Sequence, residues 1–72
     1  RKRQIGDFNL LTKRQEMILE KALEMGYYDY PRGVTGRELA KRLGISQSTL
    51  YETLQNAQRK LAETYFLKKR MN

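Results

Sequence analysis

Amide, hydroxyl and carboxylate side chains line one side of a short stretch in the second half of this 72-residue chain. Five polar residues have the spacing of the outer face of a helix: Gln47, Ser48, Tyr51, Glu52 and Gln55. Glutamine can form two hydrogen bonds with adenine, serine can bond a purine, and glutamate can accept from the amino group of cytosine. A tyrosine ring can meet a thymine methyl group or a phosphate. We therefore expect this set, here called the polar face, to contact base edges in double-stranded DNA.

The helix that carries the polar face is predicted over about 46–67. Ser46 suits the N-cap position, and an apolar stripe with the spacing of one helix face follows it. We expect the stripe to face inward, and its members are Leu50, Leu54, Ala57 and Leu61.

A second helix is predicted just before it, over about 35–43. Thr35 and Glu38 have the spacing of a capping box, in which each side chain bonds the backbone of the other residue. Gly44 suits the left-handed conformation just past the end of this helix. Two short helices joined by a glycine-bearing turn form a helix-turn-helix, whose second helix enters the DNA major groove.

A further helix is predicted over about 12–25. Thr12 and Gln15 repeat the capping-box spacing, and Gly26 ends the helix. Its apolar face consists of Ile18, Leu19, Ala22, Leu23 and Met25. The predicted fold class is therefore all-α, a bundle of three to four helices that contains the helix-turn-helix.

Other residues are placed to hold the phosphate backbone. The first helix of a helix-turn-helix crosses the backbone, and the free amides at its start favour an anion. Thr35 and Arg37 are therefore candidates for phosphate contacts. Four more candidates are Lys13, Arg14, Thr49 and Arg59. Glu52 has alternative roles, which are to orient Arg59 or another basic group, or to disfavour binding at wrong DNA sites.

The charge balance indicates a polyanionic partner. Fifteen lysines and arginines against eight acidic residues give a net charge of +7, which attracts nucleic acid first and acidic membrane second. Three of the acids, Glu16, Glu20 and Glu24, form a stripe on the first predicted helix. This stripe would repel phosphate and should point away from DNA. It is the candidate surface for the alternative function, docking on RNA polymerase or another regulatory protein.

The composition also excludes several classes of chemistry. The chain contains neither cysteine nor histidine, which removes most nucleophile–base pairs and nearly all zinc sites. We expect no catalytic residues, no metal site and no cofactor, and hence a binding protein rather than an enzyme. No apolar run approaches the roughly 20 residues of a membrane span. A cytoplasmic location, associated with the nucleoid, is expected.

Two parts of the chain leave alternatives open. Residues 1–10 are predicted to be a basic arm before a DNA-binding domain at 11–72, and the arm either follows DNA or is a frayed end. Residues 62–70 either continue the last helix or form a short fourth one. Tyr65 and Phe66 there either complete the core of the monomer or contact a second copy in a homodimer.

Three tyrosines lie in the loop after the first helix, at Tyr27, Tyr28 and Tyr30. They could stack on bases. We favour a structural role instead, in which they close over the core and brace the first helix against the second. Val34, just before the next helix, is expected to fill the core.

Several of these features resemble a known family. Ala40, Gly44, Ile45 and Leu50 fall where helix-turn-helix proteins place a small residue, the turn glycine and two core residues. More specific runs are LTKRQ at 11–15, GYY at 26–28, PR at 31–32 and LGISQSTL at 43–50. With them, the chain is similar to the C-terminal helix-turn-helix domain of archaeal bacterio-opsin-activator-type regulators. More distantly, it resembles LuxR-type response-regulator domains and the last region of sigma factors.

The resemblance covers roughly residues 11–61 and implies sequence-specific DNA binding by a transcription regulator. Thr53 departs from simple repressor motifs, which place an apolar residue at that position. Leu54 takes the core role instead, which fits the LuxR-like branch better.

Overall fold

The computed structural model describes residues 11–71 of the chain, which contain three helices. They are α1 at Lys13–Glu24, α2 at Gly36–Leu43 and α3 at Gln47–Met71. This order confirms the predicted all-α fold, with α2 and α3 as the helix-turn-helix. Each helix starts one residue later than predicted, because Thr12, Thr35 and Ser46 lie just outside the helices that they cap.

Both predicted capping boxes are present. The Thr12 hydroxyl accepts from the Gln15 amide at 3.0 Å, and the Thr12 amide donates to the Gln15 side chain at 3.0 Å. Thr35 and Glu38 make the same pair of bonds, at 3.1 and 2.9 Å. Each box satisfies two amides that would otherwise lack a partner, and so fixes where its helix begins.

The turn between α2 and α3 has a fixed geometry. Gly44 has φ +72°, the left-handed conformation that glycine adopts without steric cost. Its amide donates to the Lys41 carbonyl at 3.1 Å, and the Ile45 amide donates to the Ala40 carbonyl at 3.0 Å. These are the two bonds of a Schellman motif. Ser46 then caps α3 by accepting from the Thr49 amide at 3.1 Å, so only a few residues set the angle between the helices.

The core lies between the three helices and is small. Its buried members are Ile18, Ala22, Val34, Leu39, Ala40, Leu50 and Leu54. Ala57 is also fully buried. The burial of Val34 and Leu54 confirms their predicted places in the core. Since α3 packs against both other helices, it is the central element of the fold.

The first helix lies across α3. At its start, the Gln15 side-chain oxygen accepts from the Lys60 ammonium at 3.1 Å. Just after its end, the Tyr28 hydroxyl accepts from the Gln58 amide. Residues 58 and 60 are about 200° apart around a helix, because each residue turns it by about 100°. The start of α1 and the loop after it therefore contact opposite sides of α3.

Two predictions were wrong. Leu61 was expected to face inward, yet 48% of it is exposed. Past Ala57, α3 contacts α1 through Lys60, which is turned about 100° around the helix from Leu61. Leu23 was expected on the apolar face of α1, yet 58% of it is exposed. It follows the buried Ala22 by one residue and is therefore turned about 100° towards solvent.

The last helix continues without a break to Met71, so no separate fourth helix forms in the described part of the chain. Tyr65 and Phe66 are exposed on it, which contradicts the interpretation that they complete the monomer core. The predicted basic arm at residues 1–10 lies outside the described residues.

The loop tyrosines do three different things. Tyr27 packs on the core and meets Tyr28 edge to face, with ring centroids 5.1 Å apart. Tyr28 bonds to Gln58, and its partial burial raises the pKa of its phenol. Tyr30 is fully exposed. The expected structural role therefore applies to the first two only, and Tyr28 braces the loop against α3 rather than α2.

Candidate DNA interface

All five residues of the polar face lie on the first three turns of α3 and are exposed. Gln47 is the first residue of the helix and Gln55 the ninth, so the face is about 12 Å long at 1.5 Å per residue. The inward side of the same turns is held by Leu50 and Leu54, which are buried. The core therefore fixes the orientation of the polar face and leaves its amide and hydroxyl groups free to meet a partner.

Tyr51 makes a contact that the sequence did not predict. A Cβ atom built on Gly36 would lie 2.6 Å from the Tyr51 hydroxyl oxygen and 2.8 Å from a ring carbon. The tyrosine ring therefore lies against the first residue of α2, and 46% of Tyr51 remains exposed. A glycine where alanine would favour a helix more was the only signal in the sequence for this contact.

The start of α2 is thereby next to the polar face. Thr35 and Arg37 flank Gly36, and both are exposed. The Thr35 hydroxyl accepts from Glu38, while the first amides of a helix have no partners within the helix and attract anions. The structure thus brings these two phosphate candidates together with Tyr51.

The carboxylate of Glu38 is part of the cap, because it accepts from the Thr35 amide at 2.9 Å. Hydrogen bonding by the Thr35 amide holds the pKa of Glu38 below its usual value. Ionised Glu38 thus stabilises the start of α2. Its stabilising effect is complete above about pH 4.5, the ordinary value, and is lost as the pH falls through the lowered pKa.

We expect Glu38→Gln to remove this acid sensitivity. Glutamine keeps the capping-box spacing, as Gln15 does in α1, but does not titrate. Between pH 7 and pH 3, Tm should fall less in Glu38→Gln than in the wild type. Glu20→Gln, an exposed change outside both capping boxes, is the matched control and should keep the wild-type pH dependence. An equal fall in all three proteins would contradict the prediction.

The remaining phosphate candidates are spread along the molecule. Thr49 is partly buried, and its hydroxyl accepts from the Ser46 hydroxyl at 2.9 Å. Arg59 donates to Glu63 at 3.0 Å, so the acid that orients it is Glu63 and not Glu52. Their spacing on α3 places Thr49 near the polar face and Arg59 one turn beyond it.

Lys13 and Arg14 lie apart from the other phosphate candidates. They begin α1, whose capping residue Gln15 contacts Lys60. Lys60 lies thirteen residues beyond Gln47, or about 20 Å along the helix. Any phosphate that these two residues hold is therefore distant from the first turns of α3.

Within residues 11–71, no group of three or more histidine, cysteine, aspartate or glutamate side chains is arranged to hold a metal ion. In the same range, no helix has both the length and the apolar character needed to cross a membrane.

Two helices joined by a Schellman turn, with an exposed polar face at the start of the second, define a DNA-binding helix-turn-helix domain. The chain belongs to the family described as HTH DNA binding domain, whose model matches residues 11–63. This is the bacterio-opsin-activator type that the sequence resembles, and that prediction is confirmed.

Archaeal regulators are among the relatives of the chain. A Haloferax volcanii protein named as a transcriptional regulator is 55% identical over 56 residues, 78% of this chain and 10% of the relative. The transcriptional regulator NarO of the same organism is 47% identical over 58 residues, 81% of this chain and 28% of the relative. The bacterioopsin transcriptional activator of Halobacterium salinarum is 41% identical over 58 residues, 81% of this chain and 9% of the relative.

The chain thus spans less than a third of the length of each of these relatives. No solved structure matches it.

Proposed function

We propose that this chain binds double-stranded DNA sequence-specifically, as the DNA-binding part of a transcription regulator, with α3 in the major groove. The observation that supports it best is the exposed polar face on a helix whose opposite side is fixed in the core. The family and the names of the relatives agree with this role. The role is binding and not catalysis, and it places the chain with chromosomal DNA in the cytoplasm.

Within this proposal, base contacts and phosphate contacts have separate sources. Gln47, Ser48, Glu52 and Gln55 meet base edges, because their groups suit the patterns displayed in the major groove. The start of α2 holds phosphate through Thr35 and Arg37, and Thr49 holds phosphate from the first turn of α3. Three charged residues extend the phosphate contacts to other parts of the backbone, namely Lys13, Arg14 and Arg59.

We further propose that two copies bind together through residues 62–70. Beyond the bundle, α3 exposes Leu61, Tyr65, Phe66 and Leu67. Tyr65 and Phe66 pack edge to face, with ring centroids 5.0 Å apart, and so present one aromatic surface. Helix-turn-helix dimers bind two half-sites about one turn of DNA apart, which would orient both copies by one symmetric contact.

A second candidate role, docking on the transcription machinery, has separate support on α1. Glu16, Glu20 and Glu24 are exposed on its outward face, together with Met17 and Leu23. A mixed acidic and apolar surface opposite the core suits a basic protein partner. Reversing the three charges should leave DNA affinity intact or improve it, while a loss of DNA binding would place this face on the DNA.

One experiment tests the DNA-binding proposal and the dimer together. The chain is used to select duplexes from a random pool, and affinity for the selected site is then measured from 50 to 200 mM salt. We expect an enriched sequence that is pseudo-palindromic, with half-site centres about 10 base pairs apart. Four cationic contacts, from Lys13, Arg14, Arg37 and Arg59, predict a log–log salt slope of about −3.6 per copy.

The outcomes separate the claims. An enriched single half-site would keep the DNA-binding proposal and reject the dimer. A pool that remains random after selection would reject sequence-specific binding, even if the chain binds DNA in a salt-dependent way.

A further inference from the structure

Space, and not backbone conformation, explains the glycine at the start of α2. Gly36 is not among the residues with positive φ, which are Gly26 and Gly44, so any residue could adopt its backbone conformation. Glycine is also less favourable than alanine in a helix, by roughly 1 kcal/mol in the helix interior. A side chain here would overlap with Tyr51, whose hydroxyl and ring lie 2.6 and 2.8 Å from the Cβ position, so the tyrosine would have to move.

The contact with Gly36 fixes the position of the Tyr51 hydroxyl. Tyr51 belongs to the polar face of α3, but its hydroxyl lies against the first turn of α2. In a helix-turn-helix, α2 crosses the phosphate backbone, whereas base edges lie deeper in the groove and meet the first turns of α3. A hydroxyl held against α2 is therefore at the level of the backbone.

We propose that Gly36 is a positioning residue for Tyr51, and that it directs the tyrosine hydroxyl to a DNA phosphate and away from base edges. This inference rests on the proposed function, because it assigns a role within the DNA complex. It changes the sequence-based assignment of Tyr51 from a base contact to a backbone contact. It also gives a role to Gly36, for which the sequence alone predicts none.

Four variants of the 72-residue chain test the proposal: Tyr51→Phe, Tyr51→Ala, Gly36→Ala and the double variant Gly36→Ala/Tyr51→Ala. Affinity is measured for a selected duplex and for a random duplex of equal length, from 50 to 200 mM salt. Circular dichroism and Tm confirm that each variant is folded at the temperature of the assay. Tyr51→Phe removes one hydroxyl only and serves as the variant least able to disturb the fold.

The hydroxyl should matter equally for every DNA sequence. Tyr51→Phe is expected to lose about ten- to a hundred-fold in affinity on both duplexes, the usual effect of one hydrogen bond to a charged group. The salt slope should remain unchanged, since no charge is removed. A loss confined to the selected duplex would mean a base contact and would overturn the proposal.

The glycine should matter only while the ring is present. Gly36→Ala should weaken binding to both duplexes in the chain that retains Tyr51, because the added methyl group displaces the ring. In the Tyr51→Ala background, the same change should alter affinity by less than about two-fold, the range expected of uncoupled changes. Equal losses in both backgrounds would show that Gly36 acts independently and would overturn the positioning role.

Failure of the proposed function has a different signature. In that case the wild-type chain itself would not distinguish the selected duplex from the random one. If it does distinguish them, and neither Tyr51→Phe nor Gly36→Ala changes affinity, the further inference alone is wrong.

Discussion

Alanine in place of Gln47 or Gln55 is expected to weaken binding to a preferred DNA site by about 1–3 kcal/mol for each change. A side-chain amide that forms two hydrogen bonds with one base has no substitute in alanine, so the loss appears as lowered affinity. Both residues are exposed on the polar face, and neither belongs to the core. On random DNA of the same length, the loss should be small, because no base is matched there.

Asn56→Ala provides the matched control. Asn56 is also an exposed amide on α3, but it lies one residue beyond Gln55 and is turned about 100° from it. Its replacement should leave affinity for both duplexes almost unchanged. If the two glutamine variants lose affinity equally on preferred and random DNA, these residues hold the backbone and do not contact bases.

Leu50→Ala is expected to lower the free energy of unfolding by about 2–5 kcal/mol, the range for deleting a buried leucine side chain. Leu50 is fully buried between the helices and belongs to the core cluster. A domain of this size has a total stability of roughly 4–11 kcal/mol, at 0.05–0.15 kcal/mol per residue. The change therefore removes a large fraction of the stability, and urea denaturation should show a much lower midpoint.

Leu61→Ala is the control for this prediction, since it makes the same chemical change on the same side of the same helix. Leu61 is 48% exposed, and leucine and alanine both favour helices. Its effect on the unfolding of the monomer should stay below about 1 kcal/mol. Similar losses at both positions would mean that α3 is packed along its whole length, contrary to the structure.

The helices and the turn were predictable because local chemistry determines them. Thr12 and Thr35 cap α1 and α2 through contacts only three residues away, and Gly44 ends α2 through its own backbone conformation. Such short-range signals are visible in any sequence. The core at Leu50 and Leu54 followed from the helical repeat alone.

The errors arose where the answer depended on how helices cross. A helical repeat shows that Leu61 is on the same side as Leu50, but it does not show which side of α3 the neighbouring helix covers at that level. The bond between Gln15 and Lys60 joins residues 45 positions apart, and no local pattern indicates it. The contact between Gly36 and Tyr51 was missed for the same reason.

The residue types on one face of α3 could be predicted from the sequence. How far the candidate site extends onto the other helices could not. Exposure of the polar face agrees with the prediction, while the leaning Tyr51 and the distant Lys13 depend on tertiary packing. The base and phosphate roles of these residues remain predictions that the binding experiments test.

The uninterrupted length of α3 has a mechanical consequence. Twenty-five residues form a rigid rod of about 37 Å, with the groove-binding turns at one tip and the aromatic pair near the other. If this helix, about 37 Å long at a rise of about 1.5 Å per residue, rotates by about 10° about one end, its other end moves by about 6 Å. A molecule that binds Tyr65 and Phe66 could therefore change how the first turns of α3 fit the DNA groove without contacting those turns.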